Sequence, residues 1–320
     1  MRNAIWIMLK RRNLYKYGII AGSMLAITSC GWFTTASIEN VSGPGAHYVA
    51  VGDNGVIKLS DADGIFWTSD KSSNTNVYNA VDYINGKLVA VGVDGKIAYS
   101  SDGISWQSLP SPSKAWLYDI NYGNNKYLVA GMNGTVMYSN DLNNWQKTLL
   151  ANKEWLNSIC YGAGKYIVVG ANGVISSSND LANWSVESSG TTQWFSAVRY
   201  LNNQFLIVGS KGAIYTSNDG HKWNPQNSNS TNWLYDFAFG AGKYVVVGEK
   251  GAILTSNDAI TWQAIKNPEI TANLRSVVYA GNQFVVVGMQ GIVLTSTDGQ
   301  NWKTHNSNTT RSLYSVTYKP

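Results

Sequence analysis

The chain has 320 residues and is 44% hydrophobic, which suffices for one large domain or two ordinary ones with a sizeable core. Charged residues make up only 13%, while glycines and aromatic residues are abundant, a mixture typical of many short strands joined by tight turns. The formal charge of +5 comes from five basic residues in positions 1–29, where no acidic residue occurs, so the remainder has 24 − 5 = 19 basic against 19 acidic residues and no basic surface for nucleic acid is expected.

The first predicted element is an export signal, in which a basic segment precedes the apolar residues 18–28, a stretch too short to span a bilayer. The triplet Ile27-Thr28-Ser29 before Cys30 resembles the lipobox of bacterial lipoproteins. That resemblance implies a signal peptide over 1–29, a diacylated Cys30, a tether over 30–45 and, since no aspartate follows the cysteine, an outer-membrane location. Two alternatives stay open: an ordinary signal peptide with an unmodified cysteine, and a twin-arginine signal at Arg11-Arg12.

A phrase with an aspartate followed four residues later by a tryptophan then occurs seven times, at a period of 39 residues with one interval of 40. The aspartates are Asp63, Asp102, Asp141, Asp180, Asp219, Asp258 and Asp298, and the tryptophans are Trp67, Trp106, Trp145, Trp184, Trp223, Trp262 and Trp302. Each unit has the pattern of four short strands separated by turns, of which Asn133-Gly134 gives the strongest hairpin signal. Second strands such as residues 244–248 are apolar on both faces and therefore need cover on both sides.

Four strands per unit and seven units predict an all-β fold, a seven-bladed β-propeller with four antiparallel strands per blade. The chain begins its first unit at a second strand, and its last residues match the first-strand pattern. We therefore expect the C-terminal strand to close blade 1. The predicted propeller spans 46–320, with units near 46–70 plus 312–320, 77–110, 116–149, 155–188, 194–227, 233–266 and 274–306.

The repeated phrase resembles the Asp-box (BNR) repeat of sialidases and of photosystem II assembly-factor-like propellers, with one residue fewer between Asp and Trp. The resemblance covers about residues 46–320 and implies turns on the outer rim of the propeller. A catalytic group is needed once, so a position filled identically seven times is interpreted as structural. The carboxylate is expected to accept backbone N–H bonds in its own turn, and the tryptophan to pack on the neighbouring blade.

Binding residues are expected at the variable positions on the face of the Asn-Gly turns. Four consecutive blades begin with Trp116, Trp155, Trp194 and Trp233. The next variable column and an adjacent loop supply Tyr118, Tyr235, Arg275, Tyr314 and Arg311. Tryptophan is enriched at interaction hot spots, so this arc is a candidate site for a protein partner or a sugar. The alternative is that the tryptophans are wedged between blades.

These features favour a non-enzymatic, lipid-anchored propeller that serves as an interaction scaffold, assembly factor or structural subunit of a cell-envelope complex. Its expected partners are other envelope proteins, including an outer-membrane or secretion assembly. The alternative is a carbohydrate-binding protein or a sialidase-like glycosidase at the cell surface. Sialidases hold a carboxylate with three arginines; beyond position 29 this chain has Arg199, Arg275 and Arg311, with Arg199 in a different column. Neither a cofactor nor a metal site is predicted, because the histidines are scattered and Cys160 has the pattern of a core residue.

Overall fold

A computed structural model describes residues 47–68, 75–267 and 269–320, and the structural statements below concern these residues. Cys30, the predicted signal peptide over 1–29 and the predicted tether over 30–45 lie outside them. No helix in the described part is long and apolar enough to cross a membrane.

Strands dominate the described residues. In chain order they are β1 (His47–Gly52), β2 (Ile57–Leu59), β3 (Tyr78–Ile84), β4 (Lys87–Gly92), β5 (Ile97–Ser100), β6 (Gln107–Leu109), β7 (Leu117–Gly123), β8 (Lys126–Gly131), β9 (Thr135–Ser139), β10 (Gln146–Leu149), β11 (Leu156–Gly162), β12 (Lys165–Gly170), β13 (Ile175–Ser178), β14 (Ser185–Glu187), β15 (Phe195–Leu201), β16 (Gln204–Gly209), β17 (Ile214–Ser217), β18 (Asn224–Gln226), β19 (Leu234–Gly240), β20 (Lys243–Gly248), β21 (Ile253–Ser256), β22 (Gln263–Ala264), β23 (Leu274–Ala280), β24 (Gln283–Gly288), β25 (Val293–Ser296), β26 (Lys303–His305) and β27 (Leu313–Lys319). Short 3-10 turns lie at Asp53–Gly55, Val93–Gly95, Ala171–Gly173, Ser210–Gly212, Glu249–Gly251 and Met289–Gly291.

The strands form seven antiparallel sheets, which are the blades of a propeller. Blades 2 to 7 each contain four consecutive strands, from β3–β6 through to β23–β26. Blade 1 contains β2, β1 and β27, and an isolated bridge between Ser60 and Trp67 stands at the place of its fourth strand. The prediction of an all-β, seven-bladed propeller is confirmed.

Blade 1 is closed by the end of the chain, as the sequence predicts. Strand β27 pairs antiparallel with β1 in the register Tyr48↔Tyr318, Val49↔Thr317, Ala50↔Val316 and Val51↔Ser315. The pairing leaves β1 in the middle of its sheet, with β2 on its other side. The first and last parts of the propeller therefore share one hydrogen-bonded blade.

The core lies between the blades. Each second strand, β20 for example, is buried along its length after the first residue, and the hydrophobic residues form seven clusters that each join two consecutive blades. Cys160 is buried in the cluster between blades 4 and 5, as the sequence predicts. The first strands of neighbouring blades lie side by side around the centre of the ring.

The Asp-containing turns are held by bonds to their own backbone. In blade 2, Asp102 Oδ1 accepts bonds from the N–H groups of Ile104 and Ser105, both at 2.8 Å, and from Ser100 Oγ at 2.9 Å. The Trp106 indole N–H donates to the Gly103 carbonyl at 2.9 Å. The aspartate bonds recur in blades 3 to 7, and backbone N–H donors lower the pKa of Asp219 and of Asp258 to about 2. The indole bond recurs in blades 3, 4, 6 and 7, whereas Trp223 Nε1 of blade 5 is buried without a partner among the described residues. These carboxylates are thus structural acceptors, occupied within their own turns.

Blade 1 departs from the pattern that the sequence predicts. Asp61, not Asp63, accepts the bonds from the N–H groups of Ile65, at 2.9 Å, and Phe66, at 3.3 Å. Asp61 occupies the position that a serine occupies in the other turns. Its side chain is longer than that of serine and reaches the two N–H groups that, in blades 2 to 7, are bound by the aspartate two residues later. Trp67 still donates to the Gly64 carbonyl at 2.9 Å, so the tryptophan keeps its place.

Candidate functional site

The predicted aromatic positions come together along one face of the ring, at the ends where the first strands begin. We define the aromatic arc as the set Tyr118, Trp155, Trp194, Trp233, Tyr235, Arg275 and Tyr314, and each member contacts the next. The arc extends through blades 3, 4, 5, 6 and 7 to blade 1. It includes seven of the nine partner-binding candidates that the sequence suggests.

The tryptophans contact one another from blade to blade. The ring centroids of Trp155 and Trp194 are 5.6 Å apart and those of Trp194 and Trp233 are 6.0 Å apart, both in edge-to-face geometry. Tyr118 extends the row, with its centroid 6.4 Å from that of Trp155. Edge-to-face contact is the favoured arrangement of aromatic rings, so the row forms a preorganised surface.

The other end of the arc carries a positive charge. The Trp233 ring stacks on the Tyr235 ring at 5.9 Å. The Arg275 guanidinium carbon lies 4.4 Å from the Tyr235 ring centroid and 5.8 Å from that of Tyr314. Burial raises the pKa of Tyr118, Tyr235 and Tyr314, so these phenols are neutral at physiological pH. Arg275 therefore supplies the positive charge of this end of the arc, where the Glu249 carboxylate also accepts a bond from the Trp233 N–H at 3.4 Å.

The arc remains open to solvent. Trp155 is 40% exposed, and Trp116, at the start of blade 3, is 45% exposed. The other members are half-buried. The rings thus contact neighbouring blades, as one alternative predicts, and also present surface to the solvent, while their role in binding stays a prediction.

The backbone fixes where each tryptophan stands. The Trp155, Trp194 and Trp233 carbonyls accept bonds from Ala171, Ser210 and Glu249 N–H at 2.7–2.8 Å, which tie the start of each first strand to the turn after the second. At Gly170 an added Cβ would lie 1.8 Å from the Trp155 carbonyl oxygen, so only glycine permits this close approach. The Trp233 indole N–H also donates to Ser196 Oγ at 2.7 Å, which orients that ring.

Arg311 is a predicted binding residue on the same face, but it contacts the turn of blade 1 and is not part of the aromatic arc. Its Nη1 donates to the Asn54 carbonyl in the turn of blade 1 at 3.2 Å. Arg199 lies in the first strand of blade 5 and forms an ion pair with Asp236, with Nη2 3.0 Å from Oδ1. The three arginines of the sialidase alternative thus have three different environments, an aromatic stack, a backbone carbonyl and a carboxylate.

A polar network joins the first strands around the centre of the ring, and it was not predicted from the sequence. Asp236 Oδ2 accepts bonds from Ser276 Oγ, at 3.0 Å, and the Val277 N–H, at 3.1 Å. Asp119 makes the corresponding bonds to Ser158 Oγ, at 2.7 Å, and the Ile159 N–H, at 3.0 Å. Asp119 and Asp236 occupy the same position in their strands, and this repetition is the signal from which the network was predictable.

Burial perturbs the carboxylates of this network. Desolvation raises the pKa of Asp82 to about 6, although Thr317 and the Tyr83 N–H donate to the carboxylate and Arg199 opposes the shift. Burial likewise raises the pKa of Asp119. Within the described residues no group of three or more His, Cys, Asp or Glu side chains is arranged to hold a metal ion. The network thus ties neighbouring blades together and surrounds Arg199 with acidic groups.

Comparison with known proteins identifies the fold. Neither a protein-family model nor a curated protein matches this chain. Among solved structures, YCF48 bound to a D1 peptide is similar over 72% of this chain and 81% of its own, with 19% identity and a TM-score of 0.59. YCF48 from Cyanidioschyzon merolae is similar over 75% and 88%, with 15% identity and a TM-score of 0.60.

An enzyme has the same architecture. Virginiamycin B lyase from Staphylococcus aureus is similar over 75% of this chain and 91% of its own, with 14% identity and a TM-score of 0.62. At these identities the likeness concerns the fold alone. The chain is a β-propeller whose structural neighbours include a propeller bound to a peptide and a lyase.

Proposed function

We propose that this protein is a lipid-anchored, non-enzymatic propeller that binds another protein of the bacterial envelope through its aromatic arc. The observation that carries the proposal is the unbroken series of contacts from Tyr118 to Tyr314, which presents tryptophan, tyrosine and arginine side chains on one face. These three residue types dominate binding hot spots, and tryptophan and tyrosine bury a large area at a small entropic cost. The role is that of a scaffold, assembly factor or structural subunit.

The rigidity of the arc supports this role. The carbonyls of three tryptophans are bonded to the neighbouring turns, and the rings already contact one another, so little side-chain freedom remains to be lost on binding. A fold neighbour, YCF48, is known in a complex with a peptide of D1, which illustrates that a propeller of this architecture accommodates a polypeptide. We further propose that acyl chains on Cys30 anchor the protein to the outer membrane.

A carbohydrate ligand is the second candidate, and the exposed faces of Trp116 and Trp155 favour it. Aromatic faces stack on sugar rings as well as on apolar side chains. The ion pair of Arg199 with Asp236 speaks against the three-arginine arrangement of sialidases. A lectin-like role is therefore the form of this alternative that the arc supports best.

Site-specific photo-crosslinking in intact cells tests the protein-partner proposal. A photoreactive phenylalanine derivative replaces Trp116, beside the arc, and in the control variant it replaces Val186, a 75% exposed residue on the outermost strand of blade 4. We expect a discrete adduct of higher mass from position 116 and none from position 186. The adduct should disappear when Arg275→Gln and Trp194→Ser are combined with the probe.

Other outcomes would contradict the proposal. Equal adducts from both positions would indicate non-specific contact. An absence of adducts from position 116, together with binding to glycans on an array that Trp155→Ser abolishes, would establish the carbohydrate alternative. Mass spectrometry of the exported protein tests Cys30 separately, since a diacylated cysteine adds a mass that the Cys30→Ser variant lacks.

A further inference from the structure

Three large apolar side chains are exposed on the face opposite the aromatic arc. Ile65 and Phe66, at the Asp-containing turn of blade 1, are 39% and 45% exposed, and Ile104, at the corresponding turn of blade 2, is 60% exposed. The arc stands where first strands begin, whereas these turns join third to fourth strands at the opposite edge of each blade. We call Ile65, Phe66 and Ile104 the apolar rim.

The apolar rim lies where the polypeptide first joins the propeller. A Cβ on Gly64, in the turn of blade 1, would lie 3.3 Å from the Tyr48 ring. A Cβ on Gly103, in the turn of blade 2, would lie 3.5 Å from His47 Nε2. The first two residues of β1, His47 and Tyr48, thus lie beside both turns.

The intervening length of chain limits how far this edge can be from a lipid anchor. Sixteen residues, 31–46, separate Cys30 from His47, and the 17 steps from Cys30 to His47 span no more than about 60 Å when fully extended. A chain held by acyl groups at Cys30 therefore keeps the start of β1, and the turns beside it, within about 60 Å of the bilayer. This step rests on the lipid anchor of the proposed function.

The side chains at equivalent positions of the other turns support this assignment. The residue two places after the aspartate is Asn143, Ala182, His221 and Gln300 in blades 3, 4, 5 and 7. Blade 6 has Ile260, which is 59% exposed but has no second apolar side chain at its tip. Among the described turns, that of blade 1 therefore has two adjacent exposed apolar side chains, Ile65 and Phe66, and that of the neighbouring blade 2 has one, Ile104. Neighbouring exposed apolar side chains on an otherwise polar surface are typical of a contact surface.

We propose that the apolar rim rests on the lipid bilayer and inserts the side chains of Ile65, Phe66 and Ile104 into its interfacial region. Aliphatic and phenyl groups partition into this region when they project from an otherwise polar surface. The contact supplements the acyl chains and fixes the orientation of the propeller. In that orientation the aromatic arc faces away from the membrane and is accessible to a partner.

Depth-dependent quenching on the full-length lipidated protein tests the proposal. A bimane label is attached in separate variants to Ile104→Cys and to Ile260→Cys, which match in turn position and in exposure, 60% and 59%. Labelling is specific because burial protects Cys160 and acylation blocks Cys30. The proteins are reconstituted into phosphatidylethanolamine–phosphatidylglycerol vesicles that contain brominated lipid.

We expect the label at position 104 to lose at least half of its emission in brominated vesicles and to shift to shorter wavelength, with little change at position 260. Equal quenching at both positions, or none at either, in protein that floats with the vesicles would overturn the apolar-rim proposal and leave the lipid anchor intact. A label at 104 that is already shielded without vesicles would show that residues 31–46 cover the rim, which also overturns the proposal. Wild-type protein that does not float would overturn the anchor and this proposal together.

Discussion

Arg275 is the residue whose charge distinguishes one end of the aromatic arc. Its guanidinium carbon lies over the Tyr235 and Tyr314 rings, and within the described residues no carboxylate lies within ion-pair distance of it. One of its N–H groups is hydrogen-bonded to Tyr235, and a guanidinium has five N–H donors, so others remain to meet a ligand. Arg275 is therefore preorganised to meet an acceptor on a partner.

Replacement of Arg275 tests this interpretation. Arg275→Gln should lower the photo-crosslinking yield at position 116 about 10-fold or more, because a hot-spot arginine contributes roughly 1–3 kcal/mol. The thermal unfolding temperature should be nearly unchanged. Lys250→Gln is the matched control, since Lys250 is an exposed cation in a turn on the same face, and it should leave the yield unaltered. A similar loss with both variants would indicate general charge attraction.

The exchange of roles between Asp61 and Asp63 gives a second prediction. Asp61→Ala removes the acceptor of two backbone N–H groups and should destabilise the protein by about 1–2 kcal/mol. Asp63→Ala should cost less than about 0.5 kcal/mol, as surface substitutions usually do. Chemical denaturation of both variants measures the difference. A larger effect for Asp63→Ala would show that the turn of blade 1 follows the repeat after all.

Asp82 predicts a dependence of stability on pH. Its pKa rises from 3.8 in the unfolded chain to about 6 in the folded protein, so the folded state binds more protons between about pH 4 and pH 6. The free energy of unfolding therefore decreases as the pH rises through this window. Above about pH 6 Asp82 makes no further change to it. The groups that face Asp82 are Thr317, the Tyr83 N–H, Arg199 and Asp119.

The uncharged variant Asp82→Asn should remove this dependence. We expect its melting temperature to exceed that of the wild type at pH 7.5, and the difference to shrink towards zero near pH 4. Calorimetry at a series of pH values measures it, and Asp53→Asn, a change at a half-buried residue in the turn of blade 1 outside the network, serves as the control. A variant that is less stable than the wild type at pH 7.5 would show that ionised Asp82 stabilises the ring through Arg199.

Among the elements, β27 has the largest consequence for the fold. It pairs with β1 over six residue pairs and contributes Leu313 and Val316 to the core between blades 7 and 1. Without it, blade 1 has two strands, and β1 presents an unpaired edge at the centre of the ring. Exposed edges of this kind promote association with other chains.

A truncation tests this role. Removal of residues 313–320 should abolish the cooperative unfolding transition and the soluble monomer, as measured by circular dichroism and size-exclusion chromatography. Removal of Pro320 alone is the control, because it lies beyond β27 and should have no effect. A circular permutant that joins 320 to 47 through a short linker, with new ends between 110 and 116, should fold like the wild type. A stable truncated monomer would contradict the closing role.

The elements were largely predictable from the sequence because the same physical requirements recur seven times. The period and the turn glycines predict repeated antiparallel blades, and second strands that are apolar on both faces require each blade to be covered by its neighbours. The last residues match the first-strand pattern, which predicts that they close blade 1. The departure at Asp61 was not predictable from spacing, because the aspartates share a turn and only geometry decides which reaches the N–H groups. Contacts within the arc depend on rotamers, and the repeat indicates only that the tryptophans share a face.

At the scale of the whole molecule, the two faces differ in chemistry. One carries tryptophans, tyrosines and Arg275, and the other carries the Asp-containing turns with the apolar rim. First strands of seven residues separate the faces by about 23 Å. A membrane contact on one face and a partner on the other are therefore compatible with simultaneous binding, and the crosslinking and quenching experiments address them independently.

The terminal closure also makes the fold sensitive to incomplete synthesis. A polypeptide that stops before Leu313 lacks the strand that pairs with β1, whereas one with a changed residue in a single loop keeps it. Products that lack β27 would thus expose the backbone of β1 to proteases, while products with a local change in a loop would keep that backbone covered.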